Sequence, residues 1–373
     1  MHNLNHRNLR KSKNYKSMNI KSHSKKELIK LYDFMNELRI CEERLSKEYH
    51  PADEMKCPVH FCSGQEAVPA ALSLLLRNED YLFSHHRSHG YYLSKNAPMK
   101  KLFAEIYGKQ SGANSGLAGS QDISFPENNF FSGAILAGAV AISVGTAMAL
   151  NFKRSNQRLS VSGFGEAATD EGIFWESINY ASLNNLPSIF ICENNNYSVF
   201  SPQSKRQSGE SIAKKVKSFG LESKLIFGND VCLVYKELKN AFKKVRKKNK
   251  PFLLETLTFR YDGHVGPIAD DLNGYRSNKE IKFWKDNCPI KLLEKELFKN
   301  SIIDNNYKKL LRKKIEKKID DCFEYAKKSK FPKFKNLEDL NISKSSSTAD
   351  KKLKDIEKSE FDEKQELFQP KGY

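Results

Sequence analysis

The chain has 373 residues, a net charge of +18 and 39% hydrophobic content, enough apolar material for one large α/β domain or two smaller ones. No run of 18 or more apolar residues is present to span a bilayer, and the amino terminus lacks a secretory apolar core. The seven cysteines form no CxxC pair and no zinc spacing, which reads as reduced thiols in a reducing compartment. The amino terminus is Lys- and Asn-rich rather than Arg-rich, so the cytoplasm is expected ahead of the mitochondrial matrix.

Residues 1–26 carry six Lys, two Arg and no acid. Without apolar periodicity or interleaved aromatics this arm reads as a solvated extension, not a nucleic-acid contact. The main domain is expected over 27–332, followed by a charged tail at 333–373. From Lys26 to Ser46, Leu28, Leu31, Met35, Leu38 and Leu45 follow helical spacing. His60 then opens the run HFCSGQEAV, in which Glu66 reads as a structural acid at a helix start. Residues 83–92, FSHHRSHGYY, place His85, His86, Arg87 and His89 together. A guanidinium offers a planar fork of donors that suits phosphate oxygens, and imidazoles can donate beside it. A helix (MKKLFAEIYGK) and a Gly- and Ser-rich loop ending at Asp122 follow. Residues 134–151 are rich in Ala and Gly, which permits close backbone approach and also fits a buried helix.

Residues 163–197 organise the rest. A strand ends near Ser162, and Gly163 and Gly165 bracket a turn that carries Glu166, Ala167 and Ala168. Small residues there let backbone N–H groups approach a ligand. A helix with Phe174, Ile178 and Ala181 on one face leads to a second strand, 188–192, and then to Asn194, Asn195, Asn196 and Tyr197. This is a βαβ unit with oxygen ligands at the carboxyl ends of both strands, where open parallel sheets bind ligands. A carboxylate, an amide and a backbone carbonyl are hard donors suited to Mg²⁺. Downstream, 201–215 reads as a polar, basic loop. Cys232-Leu-Val-Tyr and residues 252–257 read as further strands. The run Phe259-Arg-Tyr-Asp-Gly-His264 lies beyond the last of them, and a carboxyl-terminal helical layer runs to Phe323.

The central segment resembles the thiamine-diphosphate motif, a Gly-Asp-Gly turn followed about thirty residues later by Asn-Asn. Over roughly residues 27–330 the chain is similar to alpha subunits of the decarboxylating component of 2-oxo acid dehydrogenase complexes. The resemblance implies a thiamine-diphosphate-binding α/β fold, a parallel sheet with helices on both faces. It further implies Mg²⁺ held by Glu166, Asn195 and the Tyr197 carbonyl. Cofactor contacts would come from His86, Arg87, Gly165, Glu166, Ala167, Ala168, Asn195 and His264, with backbone contacts at Ala134 and Leu136. His89 and His264 would donate or shuttle protons. A beta subunit would supply the activating glutamate in an α2β2 assembly, and a lipoyl transferase component would accept the acyl group. Departures from the family pattern are Glu166 for Asp, Ala167 for Gly and Asp122 for His. Alternatives are a thiamine-dependent ligase or transferase without a lipoyl carrier, and a non-catalytic regulatory subunit that kept the fold.

Overall fold

The computed structural model describes residues 18–49, 54–152, 157–209, 211–269 and 274–333. Residues 1–17 of the basic arm and 334–373 of the charged tail lie outside them. The sheet begins with β1 (Tyr81–Ser84), β2 (Phe130–Ser132), β3 (Ser160–Gly165) and β4 (Ser188–Asn194). A short hairpin, β5 (Tyr197–Ser198) and β6 (Ser201–Pro202), stands apart from it, and β7 (Glu222–Phe227) and β8 (Phe252–Leu257) complete the sheet. The six strands run in the order β2-β1-β3-β4-β8-β7, and every pairing is parallel.

Strands β4 and β8 are buried at every position, as expected where helices cover both faces. Along β4, Ile189 and Ile191 join one apolar cluster, while Phe190 and Cys192 join the other. This is the two-residue alternation of a strand read against two layers.

The helices begin with α1 (Lys25–Glu48), α2 (Ala67–Leu75), α3 (His89–Ser94) and α4 (Met99–Ile106), all on the Ile189 side. Next come α5 (Gly138–Phe152) and α6 (Gly172–Leu183), which cover the Phe190 side. The short α7 (Gln203–Arg206) and α8 (Ile212–Lys215) follow, so the segment expected to be a loop is in part helical. Last are α9 (Val231–Lys248), α10 (Asn278–Asp286), α11 (Pro289–Lys299) and α12 (Asn305–Lys328). Among the described residues no helix is long and apolar enough to cross a membrane.

Two expectations are corrected. Cys232-Leu-Val-Tyr is not a strand but the first turn of α9. Its apolar positions continue through Leu238, Phe242 and Val245 at helical spacing, and the Asp230 carboxylate caps it by accepting from the Leu233 N–H at 2.9 Å. The strand in this region is β7, an edge strand whose exposed Glu222 and Lys224 hide its pattern. The helix at 138–152 is also not wholly buried, because Ile142 and Phe152 face outward.

Gly163 has a packing reason. A Cβ at this position would meet the Tyr91 ring at 2.3 Å, and the Tyr91 hydroxyl donates to Glu193 Oε2 at 2.7 Å on the next strand. A Cβ on Gly165, two residues on, would meet no described atom within 4 Å. Gly163→Ala should therefore cost about 2 kcal/mol in urea denaturation. Gly165→Ala should stay within about 0.5 kcal/mol. Equal losses would contradict the packing account.

Candidate active site

Parallel pairing sets Gly165 opposite Glu193, so the residues just beyond, Glu166 and Asn195, emerge side by side at the carboxyl edge of the sheet. They face a cavity of about 270 Å³. His86, Arg87, Ala134, Leu136, Gly165, Glu166, Ala167, Ala168, Asn195, Tyr197 and His264 all line it. His89 does not. It is fully buried three residues beyond His86 at the start of α3, with Nδ1 2.7 Å from Glu42 Oε1 and Nε2 2.8 Å from Ser120 Oγ. Both ring nitrogens are engaged with these neighbours, away from the cavity where the resemblance would have His89 shuttle protons.

One end of the cavity is oxygen-rich. Glu166 opens a 3-10 turn directly after β3 and is 1% exposed. Burial raises its pKa, and the Arg206 guanidinium, 2.6 Å from Oε1, pulls the other way. Asn195 Oδ1 accepts the Tyr197 N–H at 3.2 Å, which keeps one of its lone pairs in use and leaves the other available. Its neighbour Asn194 has a different job, donating to Glu255 Oε1 at 2.8 Å and to Gln203 Oε1 at 3.0 Å.

The other end is donor-rich. Arg87 is buried and donates to the carbonyls of Phe61 and His264; burial, with Arg260 nearby, lowers its pKa to about 10, so it stays charged at neutral pH. The rings of His60, His86 and His264 stand edge to face, with centroids 4.7 to 5.3 Å apart. Burial and then the charge of Arg87 lower the pKa of His60 to about 2 and of His264 to about 4; His86 shifts the same way. All three are neutral at pH 7. Arg260 Nη1 lies 3.1 Å from His264 Nδ1, and a guanidinium can only donate. Nδ1 is therefore the acceptor and Nε2 carries the proton.

Nitrogen atoms of these three histidines lie within 4.8 Å of one another, a spacing that admits a metal ion. The surroundings argue against it. The guanidiniums of Arg87 and Arg260 that disfavour an imidazolium also disfavour a dication. The cavity thus has a cation-seeking end at Glu166 and Asn195 and an anion-seeking end at Arg87 and the histidines. Carboxylate, amide and carbonyl oxygens are the donor set of a hard divalent ion completed by phosphate. The open space over Gly165 leaves backbone accessible to a ligand.

Sequence reasoning did not assign His60, His85, Gln121, Arg206 or Arg260. Arg260 stood in a quoted run, but only folding brings it onto His264. Asp122 accepts the Ala134 N–H at 2.8 Å and lines an adjoining cavity, so it shapes the loop that presents Ala134.

Comparison with known proteins agrees with this arrangement. The family model described as "Dehydrogenase E1 component" matches residues 34–335. The chain belongs to this family. It is 31% identical over 321 residues to the pyruvate dehydrogenase E1 component subunit alpha of Porphyra purpurea, across 84% of this chain and 92% of the relative. It is 29% identical over 314 residues to the same subunit of Rickettsia bellii, across 84% and 95%. To the human mitochondrial 2-oxoisovalerate dehydrogenase subunit alpha it is 30% identical over 312 residues, across 83% and 68%.

The lowered histidine pKa values predict how this E1-family chain responds to acid. Below the ordinary pKa of 6.5 the unfolded chain binds protons that folded His264 refuses until about 4. Stability is therefore full above pH 6.5 and falls as the pH drops toward 4. Asp262, raised to about 6 by burial, acts in the opposite sense over part of this range. The test therefore compares variants. Thermal melts of a His60→Gln, His264→Gln double variant should show a shallower loss between pH 7 and 5 than the parent. An unchanged slope would contradict the assignment.

Proposed function

We propose that the chain is the alpha subunit of a thiamine-diphosphate-dependent 2-oxo acid dehydrogenase. With a beta subunit it would carry out oxidative decarboxylation of a pyruvate-like 2-oxo acid and pass the acyl group to a lipoyl carrier. The observation that carries this reading is the two-ended cavity, which suits a diphosphate held between a metal and a guanidinium. The printed names of the relatives, pyruvate and 2-oxoisovalerate dehydrogenase alpha subunits, support it.

Glu166, Asn195 and the Tyr197 carbonyl would hold Mg²⁺. Arg87, His86 and His264 would donate to the diphosphate, and the backbone around Gly165, Ala167 and Ala168 would approach it. Ala134 and Leu136 would face the aminopyrimidine. Thiamine diphosphate bound here supplies the carbanion and electron sink that decarboxylation needs. His264, with its tautomer fixed by Arg260, presents Nε2–H to the cavity as a hydrogen-bond and proton donor. His89 positions rather than reacts, holding Ser120 through Nε2 while Glu42 holds Nδ1.

Two observations favour a partner chain. Among the described lining residues Glu166 is the only carboxylate, and it belongs to the cation end, so a carboxylate that activates the aminopyrimidine must come from elsewhere. Ile135 at the cavity is 79% exposed, and Ile142, Phe152 and Leu183, on the helices that lead away from it, are 63%, 87% and 76% exposed. So much apolar surface on two neighbouring helices and the loop before them suits burial against another subunit.

The test is 2-oxo-acid-dependent reduction of an artificial electron acceptor by the chain co-expressed with its candidate beta subunit. Turnover should require both subunits, and Glu166→Ala should lower kcat/KM by about a hundredfold or more. Ile142→Glu should prevent co-purification. A well-assembled complex that turns over no 2-oxo acid would leave the regulatory-subunit reading. Turnover without acylation of a lipoyl domain would favour the ligase or transferase.

A further inference from the structure

The cation beside Glu166 is the chain's own. Arg206 Nη2 lies 2.6 Å from Glu166 Oε1, and Nη1 donates to the carboxylate of Asp170. The next residue reinforces the contact, with Gln207 Nε2 donating to the Glu166 carbonyl at 3.2 Å and to Thr169 Oγ1 at 2.7 Å. The helix that carries Arg206 is itself tied down, since Gln203 accepts from Asn194 at 3.0 Å. Residues 203–207 therefore form a strap lying over the turn whose first residue is the proposed metal ligand.

An ionised carboxylate as buried as Glu166 needs a counter-charge. Arg206 supplies one when no metal is present. A guanidinium and a divalent ion drawn to the same buried carboxylate repel one another at close range. Asp170, partly exposed at the strap's edge, already holds the other arm of the guanidinium and can keep it. We propose that Arg206 is a built-in counter-cation, which holds Glu166 in the metal-free chain and gives way to the metal on loading while Asp170 retains it. The inference rests on the metal site proposed above. It adds an exchange step that makes metal affinity a property of the strap as well as of the ligands.

The test uses the alpha–beta complex with parent chain and Arg206→Gln. Mg²⁺ is titrated calorimetrically at saturating thiamine diphosphate, and melting temperatures are recorded with and without both. Loss of a competing charged hydrogen bond should tighten Mg²⁺ binding by about tenfold in the variant. The melting temperature should fall further in the metal-free form than in the loaded one, because the Glu166 contact exists only there while the Asp170 pair is lost in both. Arg206→Lys, which keeps the charge without the fork, should lie between the two and also serves if the Gln variant assembles poorly. Unchanged Mg²⁺ affinity would overturn the exchange while leaving the cofactor site intact. Weaker affinity would overturn it in favour of Arg206 as a diphosphate ligand. Absence of Mg²⁺-dependent binding in both forms would contradict the cofactor reading and the exchange with it.

Discussion

Everything at the site depends on the register between β3 and β4. With Gly165 opposite Glu193, the chain leaves both strands at the same level, and Glu166 and Asn195 reach one cavity. A slip of one residue would turn every side chain of a strand to the other face. Three groups oppose it. Gly163 makes room for the Tyr91 ring, Tyr91 donates to Glu193, and the inward residues on the opposite face pack under α5 and α6. The seam between the two central strands is thus fixed by shape and by a buried hydrogen bond as well as by the backbone ladder.

That geometry gathers opposite charges at the two ends of one cavity. At one end a buried carboxylate draws a guanidinium onto itself. At the other, the guanidiniums of Arg87 and Arg260 donate to the carbonyl and Nδ1 of His264, beside three neutral imidazoles. Burial shifts Glu166 and the three histidines toward their neutral forms, and the neighbouring guanidiniums strengthen that tendency in the histidines while opposing it in Glu166. A ligand with a cation at one end and a polyanion at the other would match this distribution of charge. Preorganised dipoles of this kind are what charge-dependent catalysis uses.

How much of this was legible in the sequence follows from how local each signal is. β4 and β8 stand out as apolar runs and β3 as a short alternating one, and the turn after β3 stands out by its glycines and acid. β7 was hidden because Glu222 and Lys224 alternate with its buried positions on an edge. Cys232-Leu-Val-Tyr is too short a run to separate strand from helix, and only the spacing through Val245 decides it. The FSHHRSHGYY cluster was found, yet His86 and His89 part company because α3 begins between them. Arg206 and Arg260 carry no local mark, since their partners lie 40 residues upstream and across a turn, and only the folded chain joins them.

The two ends of the cavity make opposite claims about where a metal sits, and one measurement separates them. Crystals of the alpha–beta complex grown with Mn²⁺ and thiamine diphosphate would be examined by anomalous scattering. The account predicts a single peak in this cavity, ligated by Glu166, Asn195 and the Tyr197 carbonyl, and lost in Glu166→Ala. A peak among His60, His86 and His264, or none in the cavity, would contradict it.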